Sequence, residues 1–164
     1  MTPSKREDVS ESEKTYLNTL IDEHVHLNTI HFGKKPRGVV RYDKRPKMYG
    51  GDGTVYLLQM FEEKGELVNN RIGAYMILPT SKDSVGFHTH GSRKEQELYV
   101  IISGKGQYLE KDNWESPEKT YNVERGNITS IKGSGFHGIK NIGDAPLIIF
   151  VITTYERKTD LEPK

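Results

Sequence analysis

The chain has 164 residues, of which 34% are hydrophobic and 29% are charged, and its formal net charge at pH 7 is +1. This length suits one domain with one sizeable core. The near-neutral charge argues against partners such as nucleic acid or an anionic membrane. The absence of cysteine excludes disulfides, thiolate metal sites and cysteine nucleophiles. No apolar segment of signal-peptide or membrane-span type is seen, so we expect a cytoplasmic enzyme or binding protein.

Residues 1–37 are expected to form an N-terminal arm with one short helix. Ser10 is followed three residues later by Glu13, a spacing typical of a capping box. Apolar residues then recur at helical spacing, namely Tyr16, Leu17, Leu20 and Ile21. The pattern predicts a helix over 11–24, and its apolar face predicts packing against the rest of the domain or against a partner subunit.

Three histidines follow the predicted helix, at His24, His26 and His31. A metal cluster is one interpretation of them. However, no acidic strand in a defined register comes after them, and the segment continues into a basic loop over 33–38. We therefore interpret them as surface or packing residues.

Residues 38–156 consist of short β-type runs separated by Gly, Pro, Asn and Asp. The runs predict ten strands, near 39–42, 54–61, 71–79, 84–90, 96–103, 106–110, 119–124, 128–132, 136–141 and 146–155. Because no amphipathic helix separates the runs, we expect an all-β sandwich or barrel and not a βαβ fold. A polar tail over 157–164 follows.

Alternation within two of these runs predicts which side chains face inward. Residues 97–103 divide into Glu97, Tyr99 and Ile101 on one face and Leu98, Val100 and Ile102 on the other. The second set is uniformly aliphatic, so it is predicted to face the core between two sheets, while the Glu97 end faces a polar cavity. The run over 147–152 is apolar on both faces and is predicted to be a central strand.

A candidate metal site lies in the middle of the chain. His88 and His90 are two residues apart on an extended segment and therefore share a face. A carboxylate, Glu95 or Glu97, opens the next strand, and His137 begins a later one. Imidazole and carboxylate without sulfur suit one divalent Fe, Mn, Ni, Co or Zn ion.

At these positions the sequence resembles the cupin superfamily. The first cupin motif, G-x5-H-x-H-x3–4-E-x6-G, is matched at His88, His90, Glu97 and Gly104. The second motif, G-x5-P-x-G-x2-H-x3-N, is matched at Gly126, His137 and Asn141. The resemblance covers residues 50–155. It implies a double-stranded β-helix, which is the jelly-roll barrel of cupins, and it implies metal ligands at His88, His90, Glu97 and His137.

The match to the motifs departs from the common pattern in its spacing. Six residues separate His90 from Glu97, Lys132 stands where proline is usual, and Ser134 stands where glycine is usual. The long spacing is similar to that of cupin-type phosphoglucose isomerases. The lead-in to their second-motif histidine is absent, so we do not infer that activity.

Two glutamates compete for the single carboxylate position. Glu95 fits the short histidine-to-glutamate spacing, whereas Glu97 fits the six-residue spacing to Gly104. A slip of two residues keeps the face of a strand, so alternation does not separate them. We favour Glu97.

The resemblance implies a single-domain metal-dependent enzyme, expected to be a homodimer, that acts on a small polar molecule chelated at a mononuclear centre. Oxygenation, isomerisation or epimerisation, and elimination all suit such a centre. The alternative is a non-catalytic cupin that binds or senses a metal or small molecule. Tyr99 is the candidate catalytic proton donor, with packing an equal interpretation. Gln59, Arg71 and Tyr75 are interpreted as surface residues.

Overall fold

A computed structural model describes residues 4–156, and these contain one α-helix and ten β-strands. The elements are α1 (Glu11–Asp22), β1 (Arg41–Pro46), β2 (Thr54–Gln59), β3 (Gly73–Leu78), β4 (Ser84–Thr89), β5 (Glu95–Ser103), β6 (Lys105–Lys111), β7 (Lys119–Glu124), β8 (Ile128–Ile131), β9 (Phe136–Asn141) and β10 (Leu147–Tyr155). The predicted all-β fold with a short N-terminal helix is confirmed. The predicted tail over 157–164 lies outside the described residues.

The strands form two antiparallel sheets. The large sheet has the order β1-β2-β3-β10-β5-β8, and the small sheet has the order β4-β9-β6-β7. Strand β10 lies between β3 and β5, as its apolar faces predicted. The main core fills the space between the sheets, where Leu57, Met76 and Ile149 of the large sheet meet Val85 and Ile139 of the small sheet.

Helix α1 covers the outer face of the large sheet. The Ser10 side chain caps its N-terminus, and Glu13 completes the capping box. Leu17 and Ile21 are fully buried and pack with a second apolar cluster on β2, β3 and β10 that includes Ile148. The helix therefore packs on the large sheet of its own chain. Among residues 4–156, no helix is both long and apolar enough to cross a membrane.

The predicted inward facing of the aliphatic residues of β5, Leu98, Val100 and Ile102, is wrong. Tyr99 and Ile101 lie in the core between the sheets, whereas Leu98 and Val100 are only half-buried and Ile102 packs in the cluster beneath α1. The physical reason is that the large sheet is covered on both sides. The helix gives its outer face an apolar environment, so an aliphatic face does not identify the space between the sheets.

Candidate metal centre

Four predicted ligands from three strands and one turn lie together. His88 and His137 are opposite each other in the β4–β9 pair, and His90 follows immediately after β4. Glu97 reaches the same point from β5 of the large sheet. One ligand atom of each residue lies within 4.8 Å of the others, and all four side chains are buried.

The distances between these donor atoms suit a single ion. Nε2 of His137 lies 3.1 Å from Nε2 of His90 and 3.1 Å from Nε2 of His88. Oε1 of Glu97 lies 3.0 Å from His90, 3.2 Å from His137 and 3.9 Å from His88. Ligands about 2.1 Å from a metal are about 3.0 Å apart when adjacent in an octahedron and about 4.2 Å apart when opposite. The residues therefore fit one first-row divalent ion.

Each imidazole has its outer nitrogen held by a hydrogen-bond partner. The Nδ1 contacts are His88 to the Gly86 carbonyl at 2.9 Å, His90 to Oε1 of Glu95 at 2.7 Å, and His137 to the Tyr108 hydroxyl at 2.9 Å. When Nδ1 carries the proton, Nε2 presents a lone pair to the centre. Three buried lone pairs that face one another are costly without a cation between them.

Glu95 faces the same way as Glu97 but has a different set of contacts. Its carboxylate accepts hydrogen bonds from Arg71 at 2.8 and 3.1 Å and from Arg93 at 2.9 Å, in addition to the bond from His90. Burial alone would raise the pKa of Glu95, but the bonds from His90, Arg71 and Arg93 outweigh it and hold that pKa far below its usual value. Glu95 is thus an ionised group that orients the His90 ring.

The long spacing between His90 and Glu97 is taken up by a tight turn. Residues Gly91–Arg93 form one 3₁₀ turn, and Lys94 then adopts a positive φ of 50°. A side chain at Gly91 would meet the Gly133 carbonyl oxygen at 2.5 Å, so the turn packs directly against the loop before β9. The additional residues supply Arg93 as a partner for Glu95.

The buried groups have shifted pKa values. Burial and the neighbouring His88 lower the pKa of His137 to about 3. Burial opposes ionisation of Glu97, but its close contacts with His137, His88 and His90 hold its pKa well below the usual value. Burial and the charge of Glu97 raise the pKa of Tyr99 well above 10. At neutral pH the centre therefore presents a neutral His137 and a carboxylate at Glu97, beside a protonated Tyr99.

A small cavity adjoins the four ligands on the large-sheet side. Its volume of about 20 Å³ suits only a small ligand. Its polar lining comes from Arg45, Tyr49, Arg71 and Tyr99. A larger open groove of about 740 Å³ beside Lys105 contains none of the four ligands. The cavity therefore limits a ligand to a few non-hydrogen atoms.

Known structures share this architecture. No protein-family model and no curated protein sequence matches the chain. A predicted oxalate decarboxylase from Thermotoga maritima superimposes with a TM-score of 0.61 and 24% identity, covering 70% of this chain and 92% of that one. The cupin domain of Schizosaccharomyces pombe Cnp3 superimposes with a TM-score of 0.53 and 10% identity, covering 95% and 90%. The chain has the cupin fold.

A third cupin structure, an oxalate decarboxylase of Bacillus subtilis with Mn(II) centres, has a TM-score of 0.51 and 20% identity. The match covers 65% of the present chain and 26% of that protein. The resemblance predicted from the two cupin motifs is confirmed at the level of the fold.

Sequence reasoning missed several residues around the cupin centre. Tyr49 has a positive φ of 52° and stacks on His88 with ring centroids 4.2 Å apart. Arg45, from the edge strand β1, and Tyr108, from β6, were also missed. The glycines that follow Tyr49 in the sequence indicate only a turn, and a turn signal does not identify what the turn packs against.

Three other predicted residues have roles that the structure makes plain. Arg71, expected at the surface, lines the cavity because its side chain reaches Glu95. Asn141 holds a turn, donating from Nδ2 to the carbonyls of Leu78 and Ala145. Tyr99 stacks on His137 at 5.0 Å and borders the cavity.

The remaining interpretations concern the surface. Gln59 is buried and donates to Asp43, contrary to its expected surface placement. Tyr75 packs edge-on to Phe150 on the outer side of the large sheet. His24, His26 and His31 belong to none of the potential metal groups within residues 4–156.

Proposed function

We propose that this cupin is an enzyme whose single divalent transition metal is held by His88, His90, Glu97 and His137. The observation that carries the proposal is the convergence of three Nε2 atoms and one carboxylate oxygen, with every Nδ1 engaged elsewhere. A structural cluster has no need of three facing lone pairs, whereas a metal centre requires them.

A small polar substrate would occupy the cavity beside these ligands. The chemistry that a bound metal supplies there is Lewis-acid polarisation of a carbonyl group or, for a redox-active ion such as Fe(II), dioxygen activation. Oxygenation, isomerisation or epimerisation, and elimination are the reactions consistent with it. Leu57, Met76 and Val151 supply an apolar lining that excludes bulk water.

Tyr99 is proposed as the group that donates a proton to the substrate. Its ring borders the cavity and lies next to Glu97, whose charge helps to keep the hydroxyl protonated at neutral pH. The Tyr99→Phe variant would then keep its metal but lose about 10²-fold or more in turnover. A variant with unchanged turnover would leave Tyr99 a packing residue.

The first experiment is measurement of bound metal after anaerobic purification and loading with Fe(II), Mn(II), Ni(II), Co(II) or Zn(II). We expect close to one ion per chain in the wild type, none in His137→Ala and one in His24→Ala, a matched control at an exposed histidine outside the site. Failure of all five ions to bind would refute the proposal. Dioxygen consumption with Fe(II) but not with Zn(II) would then separate oxygenation from Lewis-acid chemistry.

We further propose that residues 38–156 form the metal-binding domain, that 1–37 form an arm with the tail 157–164 outside both, and that the protein is a homodimer. Support for the dimer comes from side chains that are 80% exposed at Ile30 and 100% exposed at Phe32. Light scattering of the wild type and of Phe32→Ser tests the dimer. We expect a dimeric wild type and a weakened dimer in the variant, and a monomeric wild type would contradict the proposal.

A further inference from the structure

Arg45 points into the space between the two sheets. In the β1–β2 pair it lies directly opposite Val55, which is fully buried in the main core. Opposite residues of an antiparallel pair share a face of the sheet, so the Arg45 side chain is directed to the same side as Val55. It lines the cavity that His88 and Glu97 border.

Within residues 4–156, the Arg45 guanidinium takes part in no ion pair. Nη1 donates to Ser4 Oγ at 2.8 Å, but the buried Nε has no hydrogen-bond partner anywhere in residues 4–156. The ion pairs of this part of the chain involve other arginines. Burial lowers the pKa of Arg45, the nearby charge of Asp43 opposes this shift, and the charges of Arg6 and Arg71 lower the pKa further. A cation in this position gains more from an added anion than an exposed one does.

The second guanidinium of the cavity provides the contrast. Arg71 donates from Nε and Nη2 to the two oxygens of Glu95, at 3.1 and 2.8 Å. Its fork is therefore satisfied within the protein, and it serves to fix Glu95. Arg45 lines the same cavity without such a carboxylate, because nearby Asp43 is hydrogen-bonded to Arg41 and Gln59. A bound ligand is therefore a source of an anion for it.

Size and shape define the chemical class of that anion. The cavity of about 20 Å³ admits only a few non-hydrogen atoms, and a guanidinium presents its N–H groups in a plane that matches the two oxygens of a carboxylate. We propose that the substrate is a small carboxylate and that Arg45 binds its carboxylate group. This proposal rests on the metal-dependent function above, because the anion is placed beside the metal ligands.

The test is calorimetric titration of the metal-loaded protein with acetate and glycolate as the carboxylate probes. Acetamide is the neutral comparator of acetate, and inorganic phosphate is the non-carboxylate anion. We expect both carboxylates to bind the wild type and acetamide and phosphate to bind at least tenfold more weakly. Arg45→Met should lose at least tenfold in carboxylate affinity, and Arg45→Lys, which keeps the charge without the fork, should lose less.

Arg125→Met is the matched control, since Arg125 is an exposed arginine that does not line this cavity, and it should bind carboxylates as the wild type does. Equal affinity in Arg45→Met and the wild type would overturn the proposal, as would equally tight binding of phosphate or acetamide. Metal content, measured on every variant, reports separately on the proposed function. Full metal occupancy with unchanged carboxylate affinity in Arg45→Met refutes only the carboxylate assignment. A wild type that binds no metal refutes the metal centre.

Discussion

Glu95 accepts a hydrogen bond of 2.7 Å from Nδ1 of His90, while Glu97, two residues later on the same face, lies 3.0 Å from Nε2 of that ring. One imidazole thus has a carboxylate on each side. The outer carboxylate fixes the tautomer and orientation of the ring, and the inner one belongs to the candidate ligand set. The two glutamates have the same chemistry and different functions.

Glutamine substitutions should separate these functions. Glu97→Gln removes the anionic ligand and is expected to abolish stoichiometric metal binding. Glu95→Gln keeps all four ligand positions and is expected to weaken affinity by about 10–100-fold. Elemental analysis and competitive metal titration measure both effects. Loss of metal only in Glu95→Gln would reverse the assignment.

Tyr108 has the corresponding role at His137. Because its hydroxyl lies 2.9 Å from Nδ1, Tyr108→Phe leaves that buried nitrogen without a partner. We expect metal affinity to fall about tenfold or more. Tyr121→Phe, at a half-exposed tyrosine on the neighbouring strand, is the control and should bind as the wild type does. Identical affinities in the two variants would argue against the role of Tyr108.

Glu13 should make the docking of α1 depend on pH. Hydrogen bonds from Lys44, the Ser10 backbone and Tyr56 lower the pKa of Glu13 from its usual 4.5 to about 2. A lowered folded-state pKa stabilises the protein fully at pH values above 4.5, and this stabilisation is lost as the pH falls from 4.5 toward 2.

Urea unfolding of Glu13→Gln at pH 7 and pH 3 checks the expectation. The variant should be less stable than the wild type by about 1 kcal/mol at pH 7, the magnitude typical of a helix cap, and the difference should shrink at pH 3. Glu11→Gln, whose carboxylate is largely exposed, should show no such trend. A difference that is constant with pH would contradict the account.

The helix-to-sheet contact should contribute substantially to stability. Leu17 is fully buried beneath α1, so Leu17→Ala creates a cavity and is expected to lower the free energy of unfolding by about 2–5 kcal/mol. Tyr16→Ala removes a side chain that is 47% exposed and should have a much smaller effect. Chemical denaturation measures both variants, and equal losses would show that α1 does not pack as described.

Gly86 should be intolerant of a side chain. A Cβ at this position would lie 2.1 Å from the Tyr49 carbonyl oxygen and 2.8 Å from the Gly51 nitrogen. Gly86→Ala must therefore displace the turn that stacks Tyr49 on His88, and we expect at least about 2 kcal/mol of destabilisation with weaker metal binding. Gly38→Ala, where the nearest atom is 3.6 Å away, is the control. Wild-type stability in Gly86→Ala would contradict this packing.

The sequence predicted the strands well because turn residues and alternation are local signals. The spacing of the two motifs also predicted which four side chains lie together, namely His88, His90, Glu97 and His137. The inward facing predicted for the aliphatic residues of β5 was wrong, because α1 makes both sides of the large sheet apolar. Arg45 and Arg71 were missed for a different reason. Their long side chains reach the cavity from β1 and from the segment before β3, and no local pattern encodes that reach.

The candidate donors are divided between the sheets, with three nitrogens from the small sheet and its adjoining turn and one oxygen from the large sheet. An ion held by them would act as a cross-link through the middle of the sandwich. Ion binding and cohesion of the two layers would then be thermodynamically linked, each strengthening the other by the same free energy. Substitutions in the core far from His137 would consequently lower ion affinity, and chelators would lower the melting temperature of a protein whose sequence is unchanged.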